Sequence, residues 1–396
     1  MAEGHPLRVL WVATKAPWPP RDGGRLLQLE TLRLLAAHGA ASRPDVEVEL
    51  VAPAPRADHA AIAAALAPLC RPRLVAARPL PLPLAVVRAA LFGEPVTAAR
   101  HRLGAVAREA ARAATERQVD VVHAEQVQAM PQALVARRPV LLRAQNVESE
   151  LWRGVAEAGA LRRREAGRLA RWEAAMVGRA ALTLALTERD ADTLTALAPG
   201  ARVETLAVPF PAELPAGPTL SGAPAFALLA GAGWQPNREG AEAFLAGTWP
   251  RVARALPAAR LHVFGDVAAA AEGVVHHAPP ADPAVAFPAG GILVVPLAVA
   301  SGVRMKVLEA WARGVPVVAT PAAAAGLDAT SGGELLVAEL GQPFADALLA
   351  LAADPALRER LVRTARELLR RRHAPAPLRP RLLACYAAAA TAPGRG

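Results

Sequence analysis

Short apolar runs of strand length alternate with helical stretches along the whole chain, and this alternation limits the fold more than any other feature. Several runs are apolar without alternating with polar residues, as expected for strands covered by helices on both faces. Repeated strand and helix patterns of this kind predict parallel sheets. The runs are 7–14, 46–53, 73–78, 119–125, 139–145, 182–188, 203–209, 225–233, 260–266, 273–278, 292–298, 316–321 and 334–339.

The segment 211–223, PAELPAGPTLSGA, is rich in Pro and Gly and lacks periodicity, so we predict a linker. It divides the 396-residue chain into two units of ordinary domain size. We predict an α/β fold with two doubly wound, Rossmann-like domains at 1–210 and 224–375. A C-terminal helix at 376–396 either stays apart or returns to the first domain. Because ligands bind at the carboxyl ends of parallel strands, the facing domains should share one cleft.

The composition is that of a globular protein, with 53% hydrophobic and 20% charged residues. The apolar runs are shorter than the roughly 20 residues that span a bilayer, and the start of the chain does not resemble a secretory leader. Cys70 and Cys385 fit neither a disulfide framework nor a metal site, so they indicate buried small side chains and a reducing compartment. We therefore expect a cytoplasmic protein.

The net charge of +10 favours an anionic partner such as a nucleotide, a lipid surface or a nucleic acid. Nucleic-acid binding is disfavoured because only 4% of residues are aromatic and no stacking motif interrupts the basic runs. A dehydrogenase is disfavoured because no GxGxxG follows the first strand. The basic segments 100–118 and 161–180 fit either contact with an anionic membrane or solvated helix faces.

Residues 295–320, VPLAVASGVRMKVLEAWARGVPVVAT, predict a strand, a small-residue turn, a helix and a second strand. The N-terminus of a helix after a glycine turn attracts phosphate, but its dipole supplies only about 0.3 to 1 kcal/mol. Charge-assisted hydrogen bonds add roughly 1.5 to 3 kcal/mol each. Arg304 and Lys306 are therefore the predicted diphosphate ligands, and Glu309, on the same helix face as Lys306, is placed to bind a ribose diol. The alternative is an exposed Lys–Glu pair.

This stretch resembles the donor-site signature of the retaining glycosyltransferases of family 4, which have the GT-B fold. Within that family the chain is most similar to bacterial sugar transferases of exopolysaccharide and surface-glycan gene clusters. The resemblance implies transfer of a sugar, with retention, from a nucleotide diphosphate to an acceptor hydroxyl in polysaccharide or glycoconjugate biosynthesis. It extends through RVLWVATKAPWPPRDGGRLLQLETLRLLAAHG, DVVHAEQVQ, RAQNVESELW, GAGWQPNREGAEAFLAGTWPRVARALPAARLHVFG and DPALRERLVRTARELLRRRHA.

The resemblance assigns donor-binding roles in the second domain, with two departures. The family's Glu-x7-Glu motif ends on a ribose-binding glutamate, which corresponds to Glu309, but its first glutamate is replaced by Ser301, followed by Gly302. This replacement puts in doubt any role of a carboxylate near the transferred sugar.

The second departure concerns the family's diphosphate-binding Arg/Lys pair, which usually follows the first strand of the second domain. Here that loop, GAGWQPNREG, supplies only Arg238, with Gly233 lining the approach. Arg304 and Lys306 are therefore the preferred ligands.

In the first domain, Gly23 and Gly24 of PRDGGRL correspond to the family's loop near the sugar and diphosphate, where glycine lets backbone N–H groups approach a ligand. A turn that needs only backbone freedom is the alternative. His123 ends the run VDVVH and Gln126 follows it, where the resemblance places the acceptor side. A lone histidine at a strand end also fits a structural role.

Three residues of RAQNVES complete the predicted site. Many relatives have histidine at Gln145, close to the transferred sugar; glutamine can hydrogen-bond there but cannot titrate. Asn146 and Glu148 are predicted acceptor contacts in the same loop, although Glu148 also suits a helix N-terminus.

We found no convincing acid–base carboxylate pair and no DxD-like metal motif, so we expect a reaction without metal or cofactor, in which the nucleotide sugar is a co-substrate. The predicted partners are a nucleotide sugar, a lipid-linked or saccharide acceptor, and peripherally the inner face of the membrane. Two alternatives remain: a non-hydrolysing nucleotide-sugar epimerase of the same architecture, and a degenerate binding protein, which Ser301 and Gln145 would suit.

Overall fold

Two parallel β-sheets form the frame of the molecule in a computed structural model that describes residues 5–37, 44–155, 159–230, 235–267, 271–280 and 282–392. The first sheet has seven strands and the second has six. The strands are β1 (Leu7–Ala13), β2 (Val46–Pro53), β3 (Arg71–Val75), β4 (Val121–Glu125), β5 (Val140–Ala144), β6 (Leu182–Ala185), β7 (Val203–Thr205), β8 (Ala225–Leu229), β9 (Arg260–Phe264), β10 (Val274–His277), β11 (Ile292–Val295), β12 (Val317–Ala319) and β13 (Leu336–Val337).

Helices connect the strands and cover the sheets. Short 3-10 turns lie at Arg56–Asp58, Val127–Ala129, Leu134–Ala136 and Pro283–Ala286. The α-helices are α1 (Gly23–Ala36), α2 (His59–Leu66), α3 (Leu82–Phe92), α4 (Val96–Arg100), α5 (Gly104–Arg117), α6 (Met130–Ala133), α7 (Glu148–Val155), α8 (Ala160–Arg179), α9 (Glu188–Leu197), α10 (Gln235–Gly247), α11 (Trp249–Ala255), α12 (Met305–Ala312), α13 (Pro321–Ala324), α14 (Gln342–Ala353), α15 (Pro355–Arg372) and α16 (Pro375–Ala390).

The predicted α/β fold is confirmed, and each of the predicted apolar runs overlaps a strand. Most strands end before the predicted runs do. The strand orders are β3-β2-β1-β4-β5-β6-β7 and β10-β9-β8-β11-β12-β13. Both orders reverse direction once, between β1 and β4 and between β8 and β11. Ligands bind in the crevice at such switch points.

Both faces of the first sheet are buried, which explains why its strands are apolar without alternation. Successive side chains of a strand point to opposite faces. Accordingly Val9 and Trp11 belong to one hydrophobic cluster, while Leu10 and Val12 belong to the cluster on the other side. Each of the four side chains is at most 1% exposed.

The last helix, α16, packs on the first sheet although it follows the second in sequence. Leu378, Leu382 and Tyr386 are buried in the same cluster as Val9 and Trp11. Cys385 of this helix and Cys70 are buried free thiols, as predicted. The exact domain boundaries stay a prediction.

Within the described ranges, no helix combines the length and the apolar composition needed to cross a bilayer.

Candidate functional site

The two predicted cations lie where the switch point of the second sheet opens. Arg304 is the N-cap residue of α12, and Lys306 follows in its first turn. The Lys306 ammonium donates to the main-chain oxygen of Leu229 at 2.8 Å and to Asn237 Oδ1 at 3.1 Å. Leu229 is the last residue of β8, so Lys306 ties the end of one strand to the helix that follows the neighbouring strand, β11.

The positive charge of these two cations is not fully compensated by negatively charged neighbours. Burial, reinforced by the charge of Arg304, lowers the pKa of Lys306 to about 7. Burial likewise lowers the pKa of Arg304 to about 10, although the charge of Asp190 opposes the shift. One guanidinium nitrogen of Arg304 donates to the Ser301 main-chain oxygen, whereas Nη1 is buried with no hydrogen-bond partner among the described residues. An anion would satisfy both groups.

The helix that carries the cations has firmly defined ends. Gly314 has φ = 76°, and the N–H groups of Gly314 and Val315 donate to the oxygens of Trp311 and Ala310, so a glycine caps the C-terminus of the helix. Glu309 lies on this helix and is 6% exposed. Its Oε1 accepts from Nε and Nη2 of Arg313 at 3.1 and 3.0 Å. Glu309, the predicted ribose-binding residue, is thus hydrogen-bonded to Arg313 in this structure.

The turn before α12 is attached to the first domain through Asp190 of α9. Ser301 Oγ donates to Asp190 Oδ1 at 3.2 Å, and the Gly302 N–H donates to Asp190 Oδ2 at 3.1 Å. Ser301 Oγ also accepts from the N–H of Val147 at 2.8 Å. A carboxylate therefore lies beside Ser301, but it comes from the other domain.

Gly302 is a point of close approach between the domains. A Cβ at this position would lie 2.1 Å from the Gln145 main-chain oxygen, and φ is 70°, so only glycine fits. In the amide orientation that satisfies both of its ends, Asn146 donates from Nδ2 to the main-chain oxygens of Ser301 at 2.9 Å and Gln145 at 3.1 Å. Asn146 thus joins the two domains.

The glycine pair of the first domain provides space rather than unusual backbone angles. A Cβ on Gly24 would lie 2.7 Å from Gln145 Oε1, and a Cβ on Gly23 would lie 3.3 Å from Met305 Cβ. The start of α1 therefore lies against both Gln145 and the donor-side helix α12. These two glycines bring the predicted halves of the site together.

A buried ion pair lies behind Gln145. Arg143 Nε donates to both oxygens of Glu125, at 3.0 and 3.1 Å, and these residues are directly paired between β4 and β5. Burial raises the pKa of Glu125, but Arg143 and His123 outweigh burial and hold it below its ordinary value. Glu125 is therefore ionised and can only accept hydrogen bonds.

This ionised carboxylate sets the direction of the hydrogen bonds around it. His123 Nε2 lies 3.0 Å from Glu125 Oε2 and must donate to it. Burial lowers the pKa of His123 to about 4, so the ring is neutral and its Nδ1 is an acceptor. The Tyr386 hydroxyl, 2.7 Å from Nδ1, therefore donates. The indole of Trp11 stacks on the imidazole, with ring centroids 3.8 Å apart.

On the cleft side the same carboxylate fixes the Gln145 amide. Gln145 Nε2 donates to Glu125 Oε1 at 2.7 Å, and Gln145 Oε1 accepts from Gln126 Nε2 at 2.6 Å. Thr14 Oγ1 donates to Gln126 Oε1 at 3.3 Å. Gln126 has φ = 71° and ψ = 154°, a region used almost only by glycine. Such strain is typical of positions that the surrounding structure holds for function.

The structure thus gathers Gly23, Gly24, Gln126, Gln145, Asn146, Ser301, Gly302, Arg304 and Lys306 around the junction of the two switch points. Glu148 begins α7 beside them and is partly buried, which raises its pKa. Glu309 is on the same short helix as Lys306.

Two predicted residues are not gathered with this group, and a third lies outside the described residues. His123 is fully buried behind Glu125 and does not line the cleft. Arg238 is 58% exposed, and its closest ion-pair partner is Glu242 at 3.8 Å. Gly233 lies outside the described residues.

Sequence reasoning did not select Asp190, Arg143 or Glu125 for the site. Asp190 follows Thr187 in a Thr-x-x-Asp pattern that usually indicates a helix capping box, so nothing marks it as a bridge between domains. For Glu125 and Arg143, in contrast, the sequence contains a signal. Glu125 and Arg143 are opposite charges inside apolar runs of neighbouring strands, and buried charges are paired.

Comparison with known proteins agrees with this geometry. The family Glycosyl transferases group 1 matches residues 225–354. No curated protein sequence matches the chain significantly.

Solved structures match over nearly the whole chain. Sucrose-phosphate synthase from Thermosynechococcus elongatus has a TM-score of 0.69 at 15% identity, covering 97% of this chain and 98% of that one. Anabaena HepE in complex with UDP and glucose has a TM-score of 0.63 at 12% identity, covering 96% and 99%. The lipopolysaccharide outer core galactosyltransferase WaaB has a TM-score of 0.61 at 12% identity, again covering 96% and 99%. Residues 225–354 thus match the Glycosyl transferases group 1 family, and the overall architecture is the GT-B fold.

Proposed function

We propose that this glycosyltransferase moves a sugar from a nucleoside diphosphate to the hydroxyl of a saccharide or lipid-linked acceptor, with retention and without a metal ion, in the synthesis of a polysaccharide or glycoconjugate. The observation that carries the proposal is the pair Arg304 and Lys306. Lys306 makes its hydrogen bonds to two neutral oxygens, and Nη1 of Arg304 has no partner among the described residues. Arg304 is buried and Lys306 is partly buried at a switch point where an anionic ligand is expected.

In the proposed donor complex the diphosphate lies at the start of α12 between the two cations. Its negative charge restores the protonated form of Lys306, which burial disfavours in the free protein. Glu309 is one turn further along and would exchange part of its contact with Arg313 for the ribose hydroxyls. HepE has been solved with UDP-glucose and with UDP, so UDP-sugars are the first donors to test.

In the transfer step the bond between the anomeric carbon and the diphosphate oxygen breaks, and its electron pair stays with the diphosphate. The acceptor oxygen bonds to the anomeric carbon on the same face, and the acceptor's proton passes to the departing phosphate oxygen. Arg304 and Lys306 stabilise the charge that accumulates there, as a divalent cation does in other transferases. Gln145, held rigidly by Glu125 and Gln126, contacts the sugar. Closure of the cleft excludes water and so favours transfer over hydrolysis.

The test begins with thermal-shift screening of UDP-, GDP- and ADP-sugars, followed by transfer assays with saccharide and lipid-linked acceptors in the presence of EDTA. Lys306→Ala should lower kcat/KM by roughly tenfold to a hundredfold, the worth of one charged contact. Arg254→Ala removes an exposed cation of α11 in the same domain and should leave kcat/KM unchanged. Equal effects of the two variants would remove Lys306 from the site. Conversion of the sugar without acceptor would indicate an epimerase, and binding without turnover a non-catalytic protein.

A further inference from the structure

Helix α3 presents its large apolar side chains to solvent and buries its small ones. Only Ala85 and Ala89 of this helix are buried. Of the eight large apolar side chains that are exposed among the described residues, six lie on α3, with exposures from 49% to 75%. They are Leu82, Leu84, Val86, Val87, Leu91 and Phe92. Folding alone would favour the opposite arrangement, because burying large side chains contributes most to stability.

The start of α8 extends this exposed surface. Arg168 of α8 donates to the main-chain oxygens of Ala89 and Glu94 at 2.9 and 2.7 Å, and a Glu165 carboxylate oxygen accepts from the N–H of Val96. One turn before Glu165, and so on the same side of the helix, lies Leu161, which is 81% exposed. The three residues that follow Leu161 are exposed arginines, Arg162, Arg163 and Arg164.

We propose that α3 and residues 161–164 form one membrane-docking face that rests on an anionic lipid bilayer. The apolar side chains of α3 enter the boundary between headgroups and acyl chains, and the arginines contact anionic headgroups. The helix is 11 residues long, which suits lying in the interface but not crossing the bilayer. Only the purpose of docking rests on the proposed function, because docking would bring the enzyme to a lipid-linked acceptor.

The positive charge of this face favours a bilayer over a second copy of the chain as its partner. A two-fold dimer formed through this face would bring the same patch of both subunits together, and with it two sets of Arg162, Arg163 and Arg164. The net charge of the chain is +10, so such a dimer would also meet general repulsion. Anionic lipid instead pairs with the arginines that flank Leu161 and covers the apolar side chains at the same time.

The docking face is connected to the cleft by a rigid element. Helix α8 runs from this face to Glu173, whose carboxylate accepts the N–H groups of Glu148 and Ser149 at 2.8 and 3.0 Å. Leu161 and Glu173 are separated by about 18 Å at 1.5 Å per helical residue. The bilayer would therefore lie about one helix length from the loop that carries the predicted acceptor contacts, within reach of a lipid-linked headgroup.

The test is co-sedimentation of the full chain with vesicles, without substrate. We expect the protein to sediment with phosphatidylcholine–phosphatidylglycerol vesicles and about tenfold less with pure phosphatidylcholine, because the arginines need anionic headgroups. The double variant L84E/L91E and the double variant R162E/R163E should each lower binding about tenfold or more. V135E is the matched control, since Val135 is exposed but lies elsewhere, and should bind like the parent chain.

Equal binding to neutral and anionic vesicles, or no binding, would overturn the proposal. The proposal would also be overturned if light scattering showed that the parent chain is a dimer and L84E/L91E is not, and the parent chain did not bind vesicles. Thermal shift by a UDP-sugar is measured on every variant to show that the fold and donor site are intact. Vesicle binding does not depend on turnover, so it can hold even where no sugar transfer is found, and transfer to a soluble saccharide can hold where vesicle binding fails.

Discussion

Lys306 has a pKa close to neutral pH, so a modest change in its surroundings changes its charge. Among the described residues its ammonium contacts only neutral oxygens, and burial together with Arg304 brings its pKa to about 7. A bound diphosphate supplies the missing negative charge and so raises that pKa. Binding must then take up a proton near neutral pH, by linkage.

The first prediction follows from this proton uptake. As pH rises above 7, the free protein loses the Lys306 proton that the complex requires, so the Kd for a nucleoside diphosphate should rise by up to about tenfold per pH unit. Lys306→Arg, which stays protonated, should flatten the profile between pH 7 and 9. Calorimetry in two buffers of different ionisation enthalpy measures the proton uptake directly. A parent chain whose affinity does not change over this range would contradict the assignment.

The second prediction concerns Gln145, which both donates to Glu125 and accepts from Gln126. Histidine can make both bonds, whereas glutamate can only accept and would place a second carboxylate beside Glu125. Gln145→His should keep kcat within about tenfold of the parent value, and Gln145→Glu should lose about a hundredfold or more. Thermal unfolding of both variants controls for folding. Equal losses in the two variants would show that the hydrogen-bond directions do not matter.

At the scale of elements, the cleft loop is held by a helix remote in sequence. The start of α7 has no side-chain cap of its own in the described contacts, and Glu173 of α8 supplies the acceptor for two of its N–H groups. Burial raises the pKa of Glu173 to about 7, so the full cap requires a pH above that value. The position of Asn146 and Glu148 thus depends on how α8 packs.

The third prediction tests the raised pKa of Glu173. Because the fold disfavours the ionised carboxylate, the parent chain should lose stability as pH rises from 5 to 8. Glu173→Gln carries no charge and keeps one acceptor for the two N–H groups, so its free energy of unfolding should fall less over this range, by about 1 to 3 kcal/mol. The control Glu150→Gln on α7, which loses a surface pair with Arg189 at 3.7 Å, should follow the parent profile. Urea unfolding monitored by circular dichroism at pH 5 and pH 8 provides the values, and parallel profiles of the parent chain and Glu173→Gln would contradict the assignment.

The elements themselves were largely predictable. Apolar runs bounded by Gly and Pro located every strand, because covered parallel strands are apolar on both faces. The glycine that ends α12 was predictable because a residue with positive φ favours glycine. The buried position of His123 was not predictable, since the covering residue, Tyr386, lies 263 positions away in sequence.

For the whole molecule, one turn makes several of the contacts between the two domains. Ser301 and Gly302 meet Asp190, Val147 and the Gln145 main chain within hydrogen-bonding or van der Waals distance. Motifs identified the residues of this turn, but their partners depend on how two separately predicted domains face each other. Local patterns carry no information on that arrangement, so Asp190 was missed.

The fourth prediction separates this contact from backbone strain. Gly302→Ala and Gly314→Ala both place alanine at a positive φ, of 70° and 76°, and the backbone strain alone should cost each about 1 kcal/mol of stability. Only at residue 302 would the new Cβ meet main-chain atoms; at Gly314 it meets the flexible Arg366 side chain. Gly302→Ala should therefore lower kcat/KM at least about tenfold while Gly314→Ala does not. Steady-state kinetics with thermal unfolding distinguishes them, and similar kinetics would exclude a functional contact.

The return of α16 to the first sheet makes that sheet's domain discontinuous in sequence. A fragment ending in the segment 211–223 would lack Leu378, Leu382 and Tyr386, leaving part of one sheet face uncovered and the His123 ring without its donor. Changes in the last helix therefore act on the first domain, and the two halves stay joined by two crossings of the chain that limit how far the cleft can open.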